Sequence, residues 1–152
     1  MKYLGLLRHA KSDWDDRSTR DFDRGLNERG RAGARLMGRH IRSQGQKWDH
    51  LLASPAVRVK HTHYEVVREQ AGDADAVLIA AHNPGLQDVV LGLVSHENET
   101  PDFREAMVKF PTASFAILEL PIDDWSELGS RDARLVHFMR PRDLDPNLGP
   151  ED

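Results

Sequence analysis

Arg8 and His9 stand side by side directly after an apolar run, Tyr3-Leu4-Gly5-Leu6-Leu7. A strand that stops on Arg-His sets a cation and an imidazole together at the rim of a sheet. In open α/β proteins that rim is where ligands bind. Two later segments repeat the pattern. Leu51-Leu52-Ala53 runs into Ser54-Pro55 and Arg58, and Ala76-Val77-Leu78-Ile79-Ala80-Ala81 runs into His82-Asn83-Pro84-Gly85. Three apolar runs thus deliver two arginines and two histidines to strand ends. Two guanidiniums can clamp a phosphoryl group through fork-like hydrogen bonds. Two imidazoles can supply a nucleophile and a proton donor.

The elements that must hold these residues can be read from the flanking pattern. Tyr3 to Leu7, Leu51 to Ala53 and Ala76 to Ala81 are strand candidates; the first and third are continuous and apolar, as parallel strands covered on both faces should be. Lys11 to Gly25 is dense in charge and aperiodic, and reads as a loop. Asn27 is a plausible N-cap for a helix running to about Ser43, with Ala32, Leu36, Met37, His40 and Ile41 on one face and Gly45 ending it. Pro55 or Ala56 opens a second helix that extends past Thr62, and Pro84 a third, with Leu86, Val89, Val90 and Leu93 as its buried face. Ser114 to Leu120 and Arg134 to Met139 read as a hairpin-like pair added at one sheet edge, joined by a turn or short loop over Pro121 to Arg131. Met37 and Met107 are core candidates. The expected architecture is a single α/β domain over residues 1–152: three layers (α/β/α), a mostly parallel sheet and helices on both faces. Pro141 to Asp152, rich in Pro and Asp, reads as a surface tail.

Composition narrows the class. With 152 residues there is length for one sizeable core. Charged residues at 30% and apolar ones at 39% fit an ordinary soluble globular protein. The net charge of −4 gives no reason to expect nucleic acid or an acidic membrane as partner. The longest apolar run falls far short of the roughly 20 residues of a membrane span, and no signal-peptide pattern precedes the first strand. The expected location is the cytoplasm. The absence of cysteine excludes disulfides, thiolate metal sites and a cysteine-nucleophile phosphatase. No Gly-rich loop followed by Lys-Ser/Thr is present, which argues against a P-loop NTPase.

Four segments in order carry a family resemblance: Leu6-Leu7-Arg8-His9-Ala10-Lys11-Ser12, Asn27-Glu28-Arg29-Gly30, Ser54-Pro55-Ala56-Val57-Arg58-Val59-Lys60-His61-Thr62, and Ala81-His82-Asn83-Pro84-Gly85. Together they resemble the histidine phosphatase superfamily, also called phosphoglycerate-mutase-like. Within it the chain is most similar to the small SixA-type phosphohistidine phosphatases. The resemblance implies a covalent phosphohistidine at His9, hydrolysed by water. Arg8, Arg58 and His82 would neutralise the phosphoryl oxygens, so that no metal and no other cofactor is required. It implies that Lys11, Arg24 and Asn83 line or orient the phosphate-binding pocket; Arg24 is followed by Gly25 where the family usually has Pro. The implied substrate is a phosphohistidine on a protein, such as a phosphotransfer domain, with a small phosphate ester as the alternative. A mutase of this family usually has a longer chain. A phosphate-recognising binding module with little turnover is the reading from another class.

The family usually carries a longer excursion between Thr62 and Ala76, with an extra helix, a loop and often a proton-donating Glu or Asp. The abrupt junction at His63-Tyr64 suggests a segment lost or omitted there. Asp13, Glu65 and Glu69 remain as acid candidates. A phosphohistidine substrate already has a good leaving group, which lessens the need for one. His61 and His63 form a His-x-His pair, but on a helix the two side chains point apart. Asp13-Trp14-Asp15 does not directly end the apolar run, unlike the Asp pair of magnesium-dependent aspartyl phosphatases.

Overall fold

The computed structural model describes residues 1–8, 24–53, 60–81, 85–129 and 131–148. The first strand, β1 (Lys2–Arg8), is followed by α1 (Arg24–Ser43), β2 (His50–Ala53), α2 (Lys60–Gln70) and β3 (Ala76–Ala81). Next come α3 (Gly85–Leu93), α4 (Pro101–Val108), β4 (Phe115–Leu120), β5 (Arg134–Met139) and a single helical turn, α5 (Pro141–Leu144). The strands form one sheet in the order β2-β3-β1-β4-β5. β2, β3 and β1 are parallel; β4 is antiparallel to β1 and β5 to β4. Four of the five described strands therefore run one way, and β4 is reversed. The hairpin-like β4–β5 unit sits at one edge, as its sequence suggests.

Alternation along the strands splits the core into two halves. Leu4 and Leu6 of β1 join Val77 and Ile79 of β3 on one face, against Tyr64 and Val67 of α2, Leu86, Val89, Val90 and Leu93 of α3, and Phe103 and Ala106 of α4. On the other face Leu78, Phe115 and Ile117 pack with Met37 and Ile41 of α1, Trp48 and Leu144 of α5. The result is three layers with helices on both faces. Gly5 lies on the α1 side, where a Cβ would come within 2.7 Å of the Trp48 ring and 2.8 Å of Leu78 Cδ1. The missing side chain lets Trp48 lie across β1.

Four segments differ from the sequence reading. α1 starts at Arg24, so Gly25 belongs to the helix and Asn27 lies inside it instead of capping it. α4 is an additional helix. Thr100 caps it by accepting from Phe103 N–H at 3.1 Å, and Pro101 occupies its first turn. The stretch from Pro121 holds a 3₁₀ turn, Trp125–Glu127, whose buried Trp125 donates to Ala74 O at 2.7 Å. The expected surface tail starts instead as α5, with Pro141 buried and packed 3.6 Å from where a Gly33 side chain would begin. Its physical reason is that Asp143 takes hydrogen bonds from the Arg140 backbone N–H and Nε, each 2.9 Å, which closes the turn onto α1. At the supposed junction near His63, α2 runs unbroken.

The end of α1 is fastened to β5 by two histidines. His40 Nε2 and His137 Nε2 are 2.7 Å apart and the rings stack at 4.9 Å. An N–H···N bond of this kind needs at least one neutral ring. Burial lowers the pKa of both; the neighbouring His40 lowers that of His137 further, while Asp102 opposes. The folded chain thus binds these protons less readily than the unfolded chain, whose histidines titrate near about 6.5. The contribution to stability is complete above that pH and is lost as pH falls through the lower folded values. We expect the unfolding midpoint to drop between about pH 7.5 and 5.5, and to drop less in His137→Phe, which has one titrating ring fewer. Equal drops in thermal scans would contradict this.

Candidate functional site at the carboxyl rim of the sheet

The register makes the three parallel strands end within one residue of each other. Arg8, the last residue of β1, pairs with Ala81, the last of β3. Ala53, the last of β2, pairs with Ala80. Neighbouring strands lie about 4.8 Å apart, so the points where the chain leaves β1 and β3 are one strand spacing from each other. His9 follows Arg8 directly in the chain, His82 follows Ala81 directly, and Arg58 comes five residues after Ala53. The topology therefore brings to one rim the ends of the three strands that precede His9, Arg58 and His82 in the chain. His9, Lys11, Asp13, Arg58, His82 and Asn83 themselves lie outside the described residues, and so does the side chain of Arg24, whose backbone opens α1.

Arg8 is described in full and is half-buried. By alternation it shares the face of Leu4 and Leu6. Its Nη1 donates to Phe110 O at 2.6 Å. Its backbone N–H donates to Ser114 O and its carbonyl accepts from Ala113 N–H, both at 3.0 Å. A guanidinium carries five N–H donors in a planar fork, the geometry that matches an oxyanion. Sequence reasoning did not find the Phe110–Ser114 segment, because its contribution is made by backbone groups.

The opposite rim is closed by structural bonds. Lys2 Nζ and Trp125 Nε1 both donate to Ala74 O, at 2.9 and 2.7 Å. Glu69 falls in the last turn of α2, which leads to Ala74 and Asp75 at this rim, away from Arg8. Glu65 is on the exposed side of α2. His63 is 2% exposed and faces the core between β1, β3 and α3, an environment of packing.

Residues 4–119 match the family model of the histidine phosphatase superfamily, branch 1. The chain belongs to the histidine phosphatase superfamily. An uncharacterised protein of Mycobacterium leprae is 28% identical over 90% of this chain and 100% of its own length. A 2,3-bisphosphoglycerate-dependent phosphoglycerate mutase of Bartonella quintana is 35% identical over 50% of this chain, but the match spans only 37% of the mutase. Among solved structures, a protein assigned as the phosphohistidine phosphatase SixA of Agrobacterium tumefaciens is similar with a TM-score of 0.59. It is 25% identical over 92% of this chain and 98% of its own. This histidine phosphatase is thus an enzyme of phosphatase type with the phosphoglycerate-mutase-like fold. Among its described residues no helix is long and apolar enough to cross a membrane.

Proposed function

We propose that the protein hydrolyses phosphohistidine on a protein substrate, such as a phosphotransfer domain in cytoplasmic signalling, through a phosphohistidine intermediate on His9. The observation that carries this reading is the carboxyl rim, with Arg8 anchored at the end of β1 and His9 next to it in the chain. In the proposed first step the neutral His9 imidazole attacks phosphorus as the bond to the substrate imidazole breaks. Arg8 and Arg58 hold the phosphoryl oxygens and His82 donates to them, so the charge that would repel the nucleophile is neutralised. Water then attacks the phosphoryl group on His9, releasing phosphate and restoring the imidazole. Lys11, Arg24 and Asn83 complete the pocket. No metal takes part.

A small-molecule phosphomonoesterase is the second reading, favoured by the stretch of 35% identity to a phosphoglycerate mutase. An alcohol leaving group needs a proton, and the described acids Glu65 and Glu69 are on an exposed helix face and at the far rim. Hydrolysis of a phosphohistidine protein and of an aryl phosphate, side by side with excess chelator, separates the two. We expect strong preference for phosphohistidine and no effect of chelator. Preference for the aryl phosphate would favour the second reading, and inhibition reversed by magnesium would overturn the mechanism.

A further inference from the structure

We infer that the turn from Phe110 to Ser114 is a positioning element of Arg8, and that its backbone helps set where the guanidinium meets the phosphoryl group. The inference rests on the function proposed above and deepens it. One five-residue segment grips a single residue three ways: through the Arg8 N–H, the Arg8 carbonyl and Nη1. Tied to Phe110 O, Arg8 keeps its plane and place before any ligand arrives.

The segment is itself fixed at several points. Ser114 N–H closes it onto Pro111 O at 3.0 Å. Pro111 restricts its own φ. Phe110 is fully buried and its ring lies 5.4 Å from that of Phe138, so its carbonyl is held from behind. Ala113 has φ of +62, in the left-handed region. A residue with a Cβ is uncommon there, and such strain persists where the surroundings impose it, characteristically at functional sites. The Ser114 hydroxyl is buried without a hydrogen-bond partner among the described residues, so the backbone, not that side chain, holds the turn. Catalysis by positioned charge is sensitive to placement: a shift of about 1 Å can cost about a hundredfold.

Ala113 is the point at which to test this. Glycine takes a positive φ freely, whereas a β-branched valine opposes it. We expect Ala113→Gly to keep tungstate affinity and kcat/KM within about twofold of wild type. We expect Ala113→Val to remain folded by circular dichroism, while its tungstate Kd rises and its kcat/KM falls by about tenfold or more. In an Arg8→Ala background the same valine should cost no further affinity, because the group it misplaces is gone. A folded Ala113→Val with wild-type tungstate affinity overturns the inference, as does an equal loss with and without Arg8. Should the valine variant not fold, Pro111→Gly, which frees the turn and leaves its carbonyls, is measured by the same criteria. A wild type that neither binds tungstate nor hydrolyses either phosphate overturns the proposed function, and this inference with it. A wild type that does both, beside an unchanged valine variant, overturns this inference alone.

Discussion

His9→Ala should abolish turnover of both phosphohistidine and aryl phosphate, by at least about a thousandfold, while tungstate still binds. The size follows from the role. A nucleophile that forms a covalent intermediate has no substitute once its ring is gone, and removing one member of such a set typically costs several orders of magnitude. Binding is a separate matter. Arg8 is bonded to Phe110 O, which His9 does not supply, and a guanidinium attracts an oxyanion without help from the nucleophile. Single-turnover kinetics and titration calorimetry on the same sample read the two effects apart. Turnover near wild type would remove His9 from the mechanism, and loss of binding with turnover would assign it to the anion site instead.

Gly5→Val should destabilise the sheet strongly. Gly5 is in the middle of β1, with its α1-side face covered by Trp48 and Leu78. A Cβ alone would meet the Trp48 ring at 2.7 Å and Leu78 at 2.8 Å, and valine adds two methyl groups beyond it. The Trp48 ring is backed by Phe115, edge-on at 6.1 Å, and Leu78 is held in the same cluster. Overpacking of this kind costs about 3 kcal/mol, which for a chain of this length lowers the unfolding midpoint by roughly 6–12 °C. Gly5→Ala should lie between. A valine variant melting within about 2 °C of wild type would mean that Trp48 swings away without cost. β1 ends on Arg8, so the variant also tests whether strain in the strand reaches the rim.

The parts of this fold that were legible in the sequence are those whose burial is one-sided in pattern or complete. β1 and β3 read as strands because both faces are covered, and continuous apolar runs such as Val77-Leu78-Ile79 follow from that. α3 was legible because Leu86, Val89, Val90 and Leu93, all at most 1% exposed, recur at helical spacing. α4 was not found, since only Phe103 and Ala106 of its eight residues are buried; its signal was the cap, Thr100-Pro101, rather than a stripe. The Pro141 turn reads as tail because proline and aspartate suit a loop, and their role in closing a turn against α1 appears only in three dimensions. At the candidate site, Arg8 was legible because it ends an apolar run. Its anchor was not: Phe110 is 102 residues away in the chain and acts through a carbonyl that every residue type possesses.

The central claim is a phosphoryl group carried on His9, and it is tested most directly by trapping it. The wild type and His9→Ala would each be mixed with a phosphohistidine protein, quenched in alkali within the first turnover, digested and analysed by mass spectrometry. The account predicts one added phosphoryl group on the peptide that contains His9, labile to acid and stable to alkali, and none in the variant. A wild type that turns substrate over with no label on that peptide, or with the label on another residue, would contradict it.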